Sequence, residues 1–235
     1  MKQVTITISF FLLLLIGCSP AADENAAEKS SRPSSPQPTT DTPSASETTA
    51  TKKILFYGNS LTAAYGLEPT QGFAHLIQLK IDSLGLDYEV VNAGLSGETT
   101  KGGLARIDWI LDNNKVDVFV LELGGNDGLR GIDPKASYQN LEQIIQKVQA
   151  KHPDVSIVLA GMEAPPNMGT DFTSKFRKMY PELAKQYDAA LIPFLLDGVG
   201  GIPELNLPDG IHPNVEGHQI VAENIWKVLQ PILKQ

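Results

Sequence analysis

The sequence predicts an α/β protein, a three-layer α/β/α sandwich on a five-stranded parallel sheet. Three observations carry this. Short apolar runs alternate with stretches of helical periodicity from residue 52 onward. Such alternation implies parallel strands joined by right-handed crossovers, with helices on both faces. The early apolar runs end in turns rich in Gly, Asn and Ser, the punctuation of strand ends. And 42% apolar with 20% charged residues is ordinary globular composition.

The elements follow in order. Ile54-Leu55-Phe56-Tyr57 is a buried-strand run that stops at Gly58. Phe73, Leu76, Ile77 and Ile81 have helical spacing, and Gly85 terminates that helix. Tyr88 to Val91 is a second strand, ending near Asn92-Ala93-Gly94, and Leu104, Ile107, Ile110 and Leu111 mark a second helix. Val116 to Leu123 is mostly apolar and reads as a central strand covered on both faces. Asp133 is an N-cap with Pro134 at the first helical position, and Tyr138, Leu141, Ile144, Ile145 and Val148 form the core stripe. Val155 to Ala160 is the fourth strand. Phe172 to Tyr187 is a helix that Pro181 is expected to break or restart. Ala190 to Phe194 is the fifth strand, and Asn214 caps a last helix carrying Ile220, Val221, Ile225, Val228 and Leu229.

The composition excludes collagenous, coiled-coil and wholly disordered chains. One Cys permits no intrachain disulfide. With 19 basic against 27 acidic residues, net charge -8, and no basic cluster, a nucleic-acid partner is not expected. The apolar stretch Val4 to Ile16 falls short of the roughly 20 residues a membrane span needs and fits a secretory signal. Cys18 closes it directly after Gly17, which resembles the lipobox of a bacterial lipoprotein, with Cys18 acylated; an ordinary signal with an incidental Cys is the alternative. Ser19 resembles the residue that sorts Gram-negative lipoproteins to the outer membrane. Residues 19 to 51 carry Pro20, Pro33, Pro36, Pro38 and Pro43 among Ser, Thr and Ala, with no aromatic residue. This segment reads as a disordered tether of roughly 30 Å r.m.s. span. The expected organisation is thus signal peptide 1–18, tether 19–51 and one folded domain 52–235, exported and lipid-anchored, facing the periplasm or the cell surface.

Sites in parallel sheets form beyond the carboxyl ends of the strands. There the sequence places Gly58-Asn59-Ser60, Asn92-Ala93-Gly94-Leu95-Ser96-Gly97 and Gly124-Gly125-Asn126-Asp127, with Asp209-Gly210-Ile211-His212 before the last helix. Together these supply the parts for acyl transfer: nucleophile, oxyanion donors, base and orienter. Ser60 is the candidate nucleophile, His212 its base and Asp209 the group fixing the imidazole tautomer. The amides of Ser60 and Gly94 and the side chain of Asn126 are the candidate oxyanion donors. Each residue alone is an ordinary turn or surface residue, and only their joint placement points to chemistry. There is no G-x-S-x-G elbow, no H-E-x-x-H, no Cys/His cluster and no P-loop. His218 reads as solvated or a local contact, and His75 and His152 as helix-surface residues. Met162, Pro165 and Met168, after the fourth strand, are candidate substrate contacts; a structural Pro-rich turn is the alternative. Arg130 has two readings, pocket rim or surface ion pair.

Leu121-Glu122-Leu123-Gly124-Gly125-Asn126-Asp127-Gly128-Leu129-Arg130-Gly131, Asp209-Gly210-Ile211-His212-Pro213-Asn214 and Asn92-Ala93-Gly94-Leu95-Ser96-Gly97-Glu98-Thr99 resemble ordered blocks of the SGNH (GDSL-type) hydrolases. They are most similar to the branch of bacterial thioesterase I, lysophospholipase and arylesterase. The resemblance implies a flavodoxin-like sheet, the triad Ser60, Asp209 and His212, and the oxyanion donors Ser60, Gly94 and Asn126. It also implies hydrolysis of esters or thioesters, without metal or organic cofactor. The expected substrate is a small acyl ester, thioester or lysophospholipid, and the expected state is a monomer. The chain departs from the usual pattern at Asn59, where the family commonly carries Asp. Asn keeps an acceptor oxygen and loses the charge. Two other functional classes fit the same fold: a carbohydrate O-acetylesterase, weakened by 7% aromatic content with no stacking platform, and a non-catalytic surface lipoprotein.

Overall fold

The computed structural model describes residues 51–234. The expected signal peptide with Cys18 and the tether, apart from residue 51 at its end, lie outside the described residues. Five strands form one parallel sheet: β1 (Lys52–Gly58), β2 (Tyr88–Gly94), β3 (Val118–Glu122), β4 (Ser156–Ala160) and β5 (Ala190–Ile192). Their order is β2-β1-β3-β4-β5, and every neighbouring pair is parallel. Strand order therefore reverses between β1 and β3, and the crevice beyond their carboxyl ends is the topological switch point.

The described residues form six α-helices: α1 (Phe73–Ser83), α2 (Thr100–Asn113), the short α3 (Gly125–Leu129), α4 (Pro134–Lys151), α5 (Thr170–Gln186) and α6 (Val215–Leu233). α1 packs with α6, whereas α4 packs with both α2 and α5, which gives the three layers. β3 is buried at every position, as its unbroken apolar run predicts for a strand with helices on both faces. The edge strand β2 is only partly covered. Asp133 caps α4 by accepting the Lys135 amide, and Asn214 caps α6 by accepting the Gly217 amide. Both caps stand where the side-chain pattern places them.

Two expectations are corrected. Pro181 does not interrupt α5, which runs unbroken from Thr170 to Gln186. Phe176, Met179, Tyr180, Leu183 and Ala184 on either side of Pro181 are buried, while Pro181 faces solvent. Packing of that stripe outweighs the hydrogen bond the imide cannot make. The fifth strand ends at Ile192, so Phe194 lies in the following loop. The short helix α3 was not legible in the sequence, because Gly124-Gly125-Asn126-Asp127-Gly128 carries turn residues and no apolar stripe. Gly124 enters it at φ 117°, in the region that favours glycine.

Candidate active site

The turn after β1 is stitched by its own backbone. Ala63 donates to the Asn59 carbonyl at 3.0 Å and Tyr65 to the Ser60 carbonyl at 3.0 Å. Ser60 is thereby presented at the end of β1, buried at 8% exposure. On the opposite side, Asp209 Oδ1 accepts the amides of Ile211 (2.9 Å) and His212 (3.0 Å). Leu207 donates to the His212 carbonyl at 2.7 Å, and Gly210 turns at φ 68°. This tight Asx-type loop fixes the imidazole relative to the carboxylate.

Ser60 Oγ lies 2.8 Å from His212 Nε2. His212 Nδ1 lies 2.7 Å from Asp209 Oδ2. The structure thus brings together three groups that are up to 152 residues apart in sequence. Burial raises the Asp209 carboxyl, but the amides of His212 and Ile211 and then the His212 ring outweigh it and hold the group down at about 2. Asp209 is therefore ionised at neutral pH and accepts Nδ1–H. That leaves Nε2 with a lone pair toward the Ser60 hydroxyl.

The Gly94 assignment is corrected. The Leu95 amide donates to Gly58 O at 2.9 Å, toward β1. Successive N–H groups along a strand point in opposite directions, so Gly94 N–H points to the open edge of β2, where Asn92 Oδ1 accepts it at 2.9 Å. It does not face Ser60. Gly94 is instead a close-packing residue: a Cβ there would collide with the backbone of Thr62 and Ala63. Gly97, three residues on, adopts φ 81°, and its N–H has no acceptor among the described residues. Asn126 Nδ2 donates to the adjoining Glu98 carbonyl at 3.0 Å, which leaves its second hydrogen free. The Ser60 N–H also has no acceptor among the described residues.

Several supporting residues were missed in the sequence. Arg106 of α2 grips Glu98 through two contacts of 2.6 Å. It also donates to Ala93 O at 2.7 Å and lies over the Tyr57 ring at 4.2 Å. It ties the 95–98 loop to the ends of β1 and β2. Arg130 resolves to neither sequence reading: it donates to the Gly97 carbonyl at 3.1 Å. The Tyr65 ring lies against His212 with centroids 4.6 Å apart. Ala64, just before it, is buried at φ 54°, a conformation alanine adopts at a cost. No spacing rule marks any of these: Arg106 reaches back from α2 to the loop just before it, while Tyr65 meets His212 across the fold.

His218 is not solvated. It is 1% exposed, and its Nδ1 accepts the first amide of α1, from Phe73, at 3.2 Å. Burial, reinforced by the neighbouring His212, pushes it down to about 4. His75 is partly exposed on α1. His152 caps the C-terminus of α4, partly exposed, and burial lowers it.

Beside Ser60 opens a cavity of about 510 Å³, lined by Ser60, Asn126, His212, Leu61, Leu129, Met162, Ala164, Pro165, Pro166, Phe194, Leu196 and Ile211, among others. That is the size range of small-molecule sites. Met162 and Pro165 line it as expected. Met168 does not; it packs against Gly131. The 194–201 loop supplies Phe194, Leu196, Gly200 and Gly201, a wall the sequence had hidden inside and after the expected fifth strand. Among the described residues no cluster of His, Cys, Asp and Glu could hold a metal ion.

A parallel sheet with a Ser-His-Asp relay at its switch point defines an α/β hydrolase architecture distinct from the larger G-x-S-x-G fold. Comparison with known proteins makes this specific. Residues 56–220 match the GDSL-like Lipase/Acylhydrolase family, and the chain belongs to it. It is 42% identical to Esterase TesA of Pseudomonas aeruginosa over 184 residues, covering 78% of this chain and 90% of that one. It is 36% identical to Thioesterase 1/protease 1/lysophospholipase L1 of Escherichia coli, covering 78% and 86%. A crystal structure of TesA superposes with a TM-score of 0.74 at 41% identity, over 77% of this chain and 99% of that one. AlinE4, an esterase of the SGNH-hydrolase family, superposes at 0.65 and 37% identity, over 78% and 97%.

Proposed function

We propose that this chain is a serine esterase that hydrolyses acyl esters or thioesters, including lysophospholipids, through an acyl-enzyme on Ser60. The observation that carries it is the unbroken Ser60–His212–Asp209 relay beside an apolar cavity. The relatives named esterase and thioesterase 1/lysophospholipase L1 support the substrate class.

His212 Nε2 takes the Ser60 proton as Oγ attacks the acyl carbonyl, and Asp209 stabilises the imidazolium. The oxyanion is received by the Ser60 amide, the Gly97 amide and the second Asn126 Nδ2 hydrogen. His212 then protonates the leaving alcohol or thiol. Water, deprotonated by the same imidazole, attacks the acyl-enzyme and restores Ser60. The acyl chain lies along Leu129, Met162 and Pro165. A cavity of about 510 Å³ is larger than an acetyl group requires, which favours longer acyl chains over the O-acetylesterase reading. Ser60→Ala is expected to abolish p-nitrophenyl butyrate turnover and fluorophosphonate labelling while the circular dichroism spectrum stays that of the parent. Turnover retained in that variant would remove the proposal.

The reading includes export and lipid anchoring through Cys18, with residues 19–51 as spacer, at the outer membrane, the domain acting as a monomer. No helix among the described residues is long and apolar enough to cross a membrane. Palmitate labelling lost in Cys18→Ala supports the anchor; labelling unchanged by that substitution refutes it.

A further inference from the structure

Glu122 ends β3 with a charged group where every other residue of the strand is apolar. It is 1% exposed. Three donors meet its carboxylate: Asn59 Nδ2 at 2.7 Å, Thr62 Oγ1 at 2.8 Å and the Asn59 amide at 3.1 Å. All three come from the turn that carries Ser60. The amide oxygen of Asn59 accepts from Leu61 N at 3.0 Å and lies 3.3 Å from Ser60 Oγ, whose single hydrogen is directed to His212 Nε2. Asn59 thus holds Glu122 with one end and touches the hydroxyl with the other. Gly58 keeps the space between them open, because a Cβ there would collide with Thr62 Oγ1 and Glu122 Oε2.

We propose that Asn59 and Glu122 form a positioning pair for the Ser60 turn, in which Asn59 is a donor that cannot titrate. This rests on Ser60 being the nucleophile. A carboxyl at position 59 would face Glu122 at hydrogen-bond distance, and two carboxyls so placed hold together only by sharing one proton. Losing that proton sets two buried like charges against each other. The amide carries its hydrogen at every working pH, so the turn keeps its anchor on the alkaline side. Other ionisable groups around the pair are already engaged. Tyr180 of α5 donates to Leu123 O. Asp127 of α3 is held by Thr100 and Ser137. Arg106 of α2 is bound to Glu98, and His212 faces Ser60.

The test compares the parent with Asn59→Asp, Glu122→Gln and the swap Asn59→Asp/Glu122→Gln. It measures kcat and KM on p-nitrophenyl butyrate from about pH 6 to pH 9.5, with urea unfolding of each variant. Asn59→Asp is expected to work near the parent rate at pH 7 and to lose roughly tenfold or more in kcat by pH 9.5, with KM unchanged. The parent shows no such alkaline limb. Glu122→Gln, which sets donor against donor, is expected to lose roughly thirtyfold in kcat throughout. The swap restores the donor–acceptor match, so it recovers most of that loss and has no alkaline limb. An Asn59→Asp profile parallel to the parent overturns the proposal. So does a swap that fails to fold, or that folds and is no faster than Glu122→Gln. If Glu122→Gln alone does not fold, the swap and Asn59→Asp decide the matter. Ser60→Ala in the same assay separates the two readings. If it is inactive while the Asn59→Asp profile matches the parent, only the positioning pair is wrong. If it is active, the esterase reading falls first.

Discussion

At the scale of single residues, Tyr65 is the contact with the most direct bearing on the base. It rests against the His212 ring on a turn whose preceding alanine is held at positive φ. An aromatic pair contributes about 0.5–1.5 kcal/mol beyond its buried area. Tyr65→Ala is therefore expected to lower kcat by up to roughly tenfold, with Tyr65→Phe close to the parent because the ring is what touches the imidazole. Steady-state kinetics of the two variants check this; a Tyr65→Leu variant as fast as Tyr65→Phe would show that bulk alone suffices. Gly94 is the second case. Alanine there meets the backbone of Thr62 and Ala63, and overpacking of this kind costs about 1–3 kcal/mol. Urea unfolding of Gly94→Ala is expected to show that loss.

At the scale of elements, the loop between β2 and α2 is held by α2 itself. Arg106 is one turn and a half into the helix, and its guanidinium reaches back to Glu98, Ala93 and Gly58. Glu98 is only 7% exposed, so removing its partner strands a carboxylate in a dry place. Arg106→Met is expected to cost about 3 kcal/mol in unfolding free energy. It also loosens the loop bearing Gly97, so kcat falls more than KM rises. Denaturant melts and steady-state kinetics on the same preparation test both parts. A variant of parental stability would mean that water already solvates Glu98.

At the scale of the whole molecule, two buried groups set how stability follows pH. His218 is pushed down to about 4 by burial and by His212. Between about 4 and 6.5 the folded chain binds fewer protons than the unfolded one, so this contribution is present above 6.5 and lost as pH falls. Burial, against the hydrogen bonds from Thr62 and Asn59, pushes Glu122 up to about 7. Its contribution has the opposite sign: stability declines as pH rises from about 4.5 to 7. The difference in unfolding free energy between the parent and His218→Gln is expected to grow from pH 4 to 6.5, by on the order of 3 kcal/mol, and to stay level above. Urea titrations across that range measure it, and a difference independent of pH would show that His218 is not buried neutral. The sequence alone determined the strand–helix alternation, both helix caps and the loops bearing Ser60, Asn126, Asp209 and His212. Those features rest on periodicity and on turn chemistry within a few residues, which a linear chain displays. Only the tertiary structure decided that the Gly94 amide turns to the sheet edge, that Pro181 is carried inside a helix, that His218 is buried and that Arg106 secures the loop. Each depends on how the chain packs in three dimensions, whether against a neighbouring strand, a following helix or a segment more than a hundred residues away as for His218, and neither spacing nor composition encodes that.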